Sequence, residues 1–282
     1  MKITFFGTTT LLFDDGKTQI LFDAHFTRPS LFKMLFGRLK TDEKNAESLL
    51  DRFCVSRLSA VFVSHTHYDH VLDAPFVARK TNSFFCGTES ALNVARGGGV
   101  REEKLKCFED SKPISFGDFS VTALQSLHSR AKWFNNDIGK KITAPLEQPA
   151  SRRDFCEGGS FDFLIENAGR RFLIRPSFSV KEGEFDFLGG KSVDALFLGI
   201  AGLAEASEKE RAAFFSETTE KLQAKNIIPI HWDNFFIPLN RPTKPLPALS
   251  NDIPLSLKML AESAQKSGSS LLIQLPLSSI EL

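Results

Sequence analysis

The sequence predicts an α/β chain in which two mixed β-sheets pack against each other and helices cover their outer faces. Three observations predict it. Strand patterns come first and then alternate with helical ones, and this order occurs twice. Residues 59–63 and 193–200 are almost continuously apolar, as strands buried on both faces are. Phe occurs 28 times against a single Tyr, a composition that fills a core without demanding partners for buried hydroxyls.

The elements follow in order. Residues 2–7 and 10–13 read as strands, Asp15-Gly16 as a hairpin turn and 19–23 as the next strand. Residues 26–58 are helical and irregular, with Pro29, Gly37 and a charged run, and form a first capping segment. The strand at 59–63 runs into Ser64-His65. A helix follows from about 71, with Pro75 in its first turn. A strand at 83–86 leads to a helix at 88–96, opened by Thr88 and Glu89 and stopped by Gly97-Gly98-Gly99. Residues 119–127 alternate as a strand ending at His128. Residues 129–160, with Trp133 and Phe134, form a long loop of the kind that usually serves a site, and so a second capping segment. Strands at 161–167 and 171–175, a buried strand at 193–200, a helix at 205–223 and a strand at 227–230 lead to His231. A Pro-rich loop, a helix at 255–266 and a strand at 271–275 complete the pattern. No linker divides it, so residues 1–282 are expected to form one domain.

Composition narrows the function. The formal charge is +1, which gives no strong nucleic-acid signal. No apolar run reaches transmembrane length, and the N-terminal stretch reads as a strand, not a leader. The four cysteines (Cys54, Cys86, Cys107, Cys156) form no C-x-x-C pair and are expected to be reduced. Together these features predict a cytoplasmic enzyme.

The chemistry concentrates in His65-Thr66-His67-Tyr68-Asp69-His70. Three imidazoles and a carboxylate fall within six residues directly after a buried strand, and neutral imidazole is the commonest protein ligand for zinc-like ions. His65 and His67, two apart on extended backbone, project similarly. The turn into a helix then presents Asp69 and His70 to an adjacent position.

This H-x-H-x-D-H run resembles the signature of the metallo-β-lactamase superfamily, and the likeness extends over the chain through Asp23, His128 and His231, each after a strand. The resemblance implies a four-layer αβ/βα sandwich. It implies a first metal held by His65, His67 and His128, and a second by Asp69, His70 and His231. Zn²⁺ is the expected ion, one or two per chain, with Mn²⁺ or Fe²⁺ as alternatives. The segments 230–233 and 87–90 resemble a bacterial branch loosely similar to ascorbate-phosphate lactonases and to phospholipase D-type enzymes acting on N-acyl phosphatidylethanolamines. One position departs from the superfamily pattern. Where an aspartate usually bridges both metals, Arg175-Pro176-Ser177 places Ser177, a neutral hydroxyl. Glu182, Glu184 and Asp186 are substitutes only if their loop folds back. The site is therefore open to three readings: mononuclear, binuclear with a water bridge, or partly degenerate.

Other residues carry two readings each. His25 either lines the site or is a hydrogen-bonded structural histidine. Asp23 and Asp233 are expected to orient ligands rather than bind metal, although Asp233 also fits a solvated loop. Tyr68 either donates to substrate or packs. The expected activity is hydrolysis of an ester, lactone or phosphodiester bond by metal-activated water, with Asp69 orienting or deprotonating it. The substrate is expected to be a small molecule or lipid-like, and the chain has scope to form a homo-oligomer. Two alternatives stand beside hydrolysis: a mononuclear iron dioxygenase, and a regulatory member of the fold that keeps a metal without turnover.

Overall fold

The computed structural model describes residues 1–130, 136–248 and 251–282. Trp133 and Phe134 lie outside the described residues. Along the first half run β1 (Lys2–Gly7), β2 (Thr10–Asp14), β3 (Gln19–Phe22), α1 (Leu31–Phe36), α2 (Glu43–Arg52) and β4 (Leu58–Phe62). After them come α3 (Tyr68–Val71), α4 (Ala74–Thr81), β5 (Phe84–Gly87), α5 (Glu89–Gly97), β6 (Leu105–Cys107), β7 (Pro113–Phe116) and β8 (Phe119–Gln125). The second half holds β9 (Phe161–Asn167), β10 (Arg170–Arg175), β11 (Ala195–Gly199), α6 (Glu208–Phe215), β12 (Asn226–Ile230), α7 (Ile253–Ser267), β13 (Ser270–Leu271) and β14 (Ser278–Glu281).

Two seven-stranded mixed sheets result, ordered β14-β1-β2-β3-β4-β5-β6 and β13-β12-β11-β10-β9-β8-β7. Their inner faces meet in a layer of phenylalanines. Phe13 lies edge-on to Phe22, Phe172 and Phe197 at centroid separations of 5.6, 5.5 and 5.6 Å, and Phe22 meets Phe163 at 5.0 Å. Such edge contacts add roughly 0.5–1.5 kcal/mol each beyond area burial. A second apolar cluster joins the outer face of the first sheet to α2, α4 and α5. A third joins the second sheet to α6 and α7. This is the predicted pair of mixed sheets flanked by helices.

Several boundaries differ from expectation, for local reasons. The strand expected to reach residue 127 stops at Gln125, because its partner β9 begins opposite it at Phe161. The strand expected over 271–275 shrinks to Ser270–Leu271. There the chain leaves for the other sheet, where Leu277 N donates to Phe5 O at 2.7 Å and β14 pairs with β1. The helix expected over 205–223 is regular only to Phe215, then widens into a π turn over Ser216–Glu220. Thr218 and Thr219 hydroxyls donate back to the carbonyls of Phe214 and Phe215 there, a side-chain competition that distorts helices. β6, β7 and β14 are additional strands, each only three or four residues long.

Candidate metal centre

The loops leaving β3, β4, β8 and β12 converge. His67 is the N-cap of α3 with extended backbone (φ −61°, ψ 145°), so His65 and His67 precede the helix while Asp69 and His70 lie in its first turn. Two clusters form: His65 with His67 and His128, and Asp69 with His70 and His231. Within each, the potential ligand atoms lie within 4.8 Å of one another.

The three imidazoles of the first cluster make a nearly equilateral triangle, with centroids 4.9 Å (His65–His67), 4.8 Å (His65–His128) and 4.7 Å (His67–His128) apart. Their outward nitrogens are occupied. His65 Nδ1 lies 3.1 Å from Ser64 Oγ, and His128 Nδ1 donates to Ser129 O at 2.9 Å. His67 Nε2 lies 3.2 Å from both oxygens of Asp137. His65 Nε2 is buried and has no hydrogen-bond partner. Burial and the neighbouring rings push His65 well below the usual imidazole range. Burial, aided by His67, lowers His128 to about 4. His65 and His128 are therefore neutral near pH 7, the form in which imidazole binds metal.

In the second cluster Asp69 Oδ2 lies 3.6 Å from His70 Nε2 and 3.4 Å from His231 Nε2. Four ligands at ~2.1 Å around a tetrahedral ion stand about 3.4 Å apart, so these separations fit a shared cation. Burial works to raise the pKa of Asp69, but His70 and His231 outweigh it and hold the carboxyl well below the usual carboxylate range. The two clusters adjoin where the rings of His65 and His70 come within 3.8 Å.

Asp23 braces this second cluster. It is buried and accepts from Thr9 Oγ1 (2.8 Å), Ser64 N (2.7 Å) and Ser64 Oγ (2.7 Å), with His70 Nδ1 2.8 Å away. Holding Nδ1 leaves Nε2 of His70 free to face Asp69. His231 N donates to Thr8 O at 2.6 Å. Two residues on, Asp233 accepts from Thr8 N at 2.7 Å and pairs with the buried Arg28 at 2.7 Å. Asp233 is thus a buried brace, not a solvated carboxylate. This pairing also explains Gly7, whose φ is +104° and where a Cβ would stand 1.9 Å from Arg28 Nη2. Thr8, Asp23 and His231 all have φ near +50°, an unfavourable backbone for such residues that clusters at functional sites.

His25 is fully buried, with Nδ1 3.4 Å from Thr8 Oγ1 and Nε2 without a partner. Its ring lies edge-on to Tyr68 and Phe235. Burial drops its pKa to about 3, so it is neutral. Ser177 is half-buried in the turn after β10. Glu184 and Asp186 are engaged elsewhere: Glu184 pairs with the buried Arg175 at 2.8 Å and Asp186 with Lys221 at 2.7 Å. Asp137, Ser64 and the Thr8–Thr9 pair escaped the sequence reading. Asp137 had one available signal, as the only acidic residue between 119 and 146.

Comparison with known proteins agrees with this architecture. A β-lactamase superfamily domain model matches residues 18–232. A UPF0173 metal-dependent hydrolase of Heliobacterium modesticaldum is 27% identical over 123 residues, 44% of each chain, so the match spans under half of that relative. Another, from Oenococcus oeni, is 26% identical over 83% of this chain and 87% of its own. Among solved structures, the metallo hydrolase Igni18 of Ignicoccus hospitalis superposes over 100% of this chain and 98% of its own, with a TM-score of 0.60 and 14% identity. The fold, the motif and the matched family model agree that this chain belongs to the β-lactamase superfamily.

Proposed function

We propose that the two clusters hold adjacent divalent cations and that the protein is a hydrolase cleaving an ester, lactone or phosphodiester bond. The observation that carries this reading is the pair of adjoining clusters, one with a buried unpartnered imidazole nitrogen and the other with ligand-like spacings. His65, His67 and His128 hold the first ion. His67 does so through Nδ1, because its Nε2 faces Asp137. Asp69, His70 and His231 hold the second. Zinc suits the donor set, and manganese or iron are the alternatives. Such ions lower the pKa of water to about 7 and stabilise a developing oxyanion.

The remaining work falls to the chain. Asp69, kept ionised, orients the attacking water. Neutral His25, buried edge-on against Tyr68 and Phe235, shapes the wall behind the centre. Ser177 takes the place of the superfamily's bridging aspartate and contributes no charge, so the second position binds less tightly than the first. The chain is read as one domain, with segment 26–58 and the described residues of 129–160 beside the site. The four free cysteines suit a reducing, cytoplasmic setting.

The test is hydrolysis of an ester, lactone and phosphodiester panel by protein loaded with zinc, manganese or iron. At least one class is expected to turn over, to stop on chelation, and to fall about 10²–10⁴-fold in Asp69→Asn while the first position keeps its ion. Oxygen uptake with iron, and no hydrolysis, would overturn the reading in favour of oxidation. Metal bound without turnover of any kind would favour a regulatory role.

A further inference from the structure

We propose that α1 and the cleft beside it dock this protein on an anionic phospholipid bilayer, independently of what the metal centre does. Among the seven α-helices of the described residues, α1 alone buries no residue. Yet it carries Leu31, Phe32, Leu35 and Phe36, which are 47, 74, 45 and 76% exposed. These four fall at i, i+1, i+4 and i+5, one continuous stripe, and Phe32 and Phe36 pack ring against ring at 5.2 Å. Two phenylalanines held this far into water form an apolar prominence that marks an interaction surface.

The prominence is anchored rather than frayed. Before it, Phe26 N and Thr27 N both donate to the buried Asp73 at 2.6 Å, and Arg28 pairs with Asp233. After it, Leu39 and Ala150 exchange backbone hydrogen bonds at 2.7 and 2.9 Å. The helix is thus held out between two fixed stems.

Charge identifies the occupant. Residues 24–41 contain Arg28, Lys33, Arg38 and Lys40 and no Asp or Glu, in a chain of net charge +1. Lys33 and Lys40 line a cleft of about 480 Å³ next to α1, with Thr27 and Asn45 on its wall. The acidic lining residue, Asp42, is already engaged, since its carboxylate caps α2 by accepting from Asn45 N. An apolar stripe flanked by lysines and arginine matches the two-signal requirement of interfacial binding: apolar side chains enter the acyl boundary and cations meet anionic headgroups. A second copy of the chain is a poorer occupant, because joining two α1 faces would set Lys33, Arg38 and Lys40 against their own copies. The loop carrying His25 continues into the cleft wall at Phe26–Arg28, so a docked headgroup would lie on the same loop as the candidate centre.

Co-sedimentation of the full chain with phosphatidylcholine vesicles, with and without phosphatidylglycerol, tests this. The wild type is expected to bind the mixed vesicles at least tenfold more tightly than the neutral ones, and to lose binding as salt is raised. Phe32→Ser/Phe36→Ser and, separately, Lys33→Glu/Lys40→Glu should each weaken binding to mixed vesicles at least tenfold, as lysine contributions of about fivefold each predict for the charge variant. The substituted side chains are exposed, so unchanged melting temperatures are expected. Failure of the wild type to bind mixed vesicles, or binding by both variants equal to wild type, would overturn the proposal. So would sedimentation showing a wild-type dimer that Phe32→Ser/Phe36→Ser converts to monomer.

Discussion

The two clusters of the candidate centre, one of three imidazoles and one of two imidazoles and a carboxylate, are held in place differently. The three-imidazole cluster is supported by a neighbouring hydroxyl, a main-chain carbonyl and one carboxylate, Asp137. Asp137 comes from the long loop after β8. The mixed cluster carries an ionised Asp69 and rests on two buried carboxylates, Asp23 and Asp233, that tie together the turns after β1, β3 and β12. On the proposed reading, one position would draw affinity from three nitrogens on a lightly supported frame, and the other from the rigidity of its buried braces.

The largest way to break this contrast is Asp23→Ala. It strips the acceptor from three donors and from His70 in a buried setting, and loss of one partner from such a buried charged network costs about 3–5 kcal/mol. Urea unfolding of the metal-free protein measures it. A loss below ~1 kcal/mol would mean that Asp23 is not the brace described.

Acid attacks the centre next. His25 (about 3) and His128 (about 4) titrate far below the ordinary 6.5 in the folded chain, and His65 shifts the same way. Between those values and 6.5 the unfolded chain holds protons that the folded one does not, so stability falls as pH drops through this window. At pH 5 His25 and His128 should each subtract on the order of 1–2 kcal/mol relative to pH 7, and His65 should act in the same direction. Unfolding midpoints of metal-free protein at the two pH values check this, and equal midpoints would contradict the burial described.

These braces also mark what the sequence could reveal. Residues 65–70 announce themselves because the ligands are chain neighbours, and His128 and His231 are legible because each follows a strand by a few residues. The sandwich is legible because buried strands such as β4 and β11 have nearly continuous apolar runs. What escapes is partnership across distance. Nothing local tells that Arg28 meets Asp233, 205 positions away, or that Glu184 is taken by Arg175. Asp137 sits in a loop without periodicity, where only the fold brings it to His67. The edge strands β6 and β14 escape for a related reason: three or four residues with little burial carry no pattern of their own.

Asp137→Ala sharpens the comparison on the other side. It should weaken metal at the three-imidazole position about 10–100-fold, the usual effect of removing a ligand's outer partner. Stability should change by less than ~1 kcal/mol, since the residue lies in a surface loop. Competition with a chromogenic chelator gives the first number, and thermal melting the second. The smallest effect belongs to His25→Ala. It should leave metal content unchanged and alter only turnover or KM, and loss of metal in this variant would make His25 a ligand after all.

The most direct measurement is anomalous scattering from crystals of zinc-supplemented wild type and of His67→Ala. The wild type should show one peak bounded by His65, His67 and His128 and a second, of equal or lower occupancy, by Asp69, His70 and His231, with the first peak gone in His67→Ala. No ordered ion in either cluster of the wild type, or an undiminished first peak in the variant, would contradict the account.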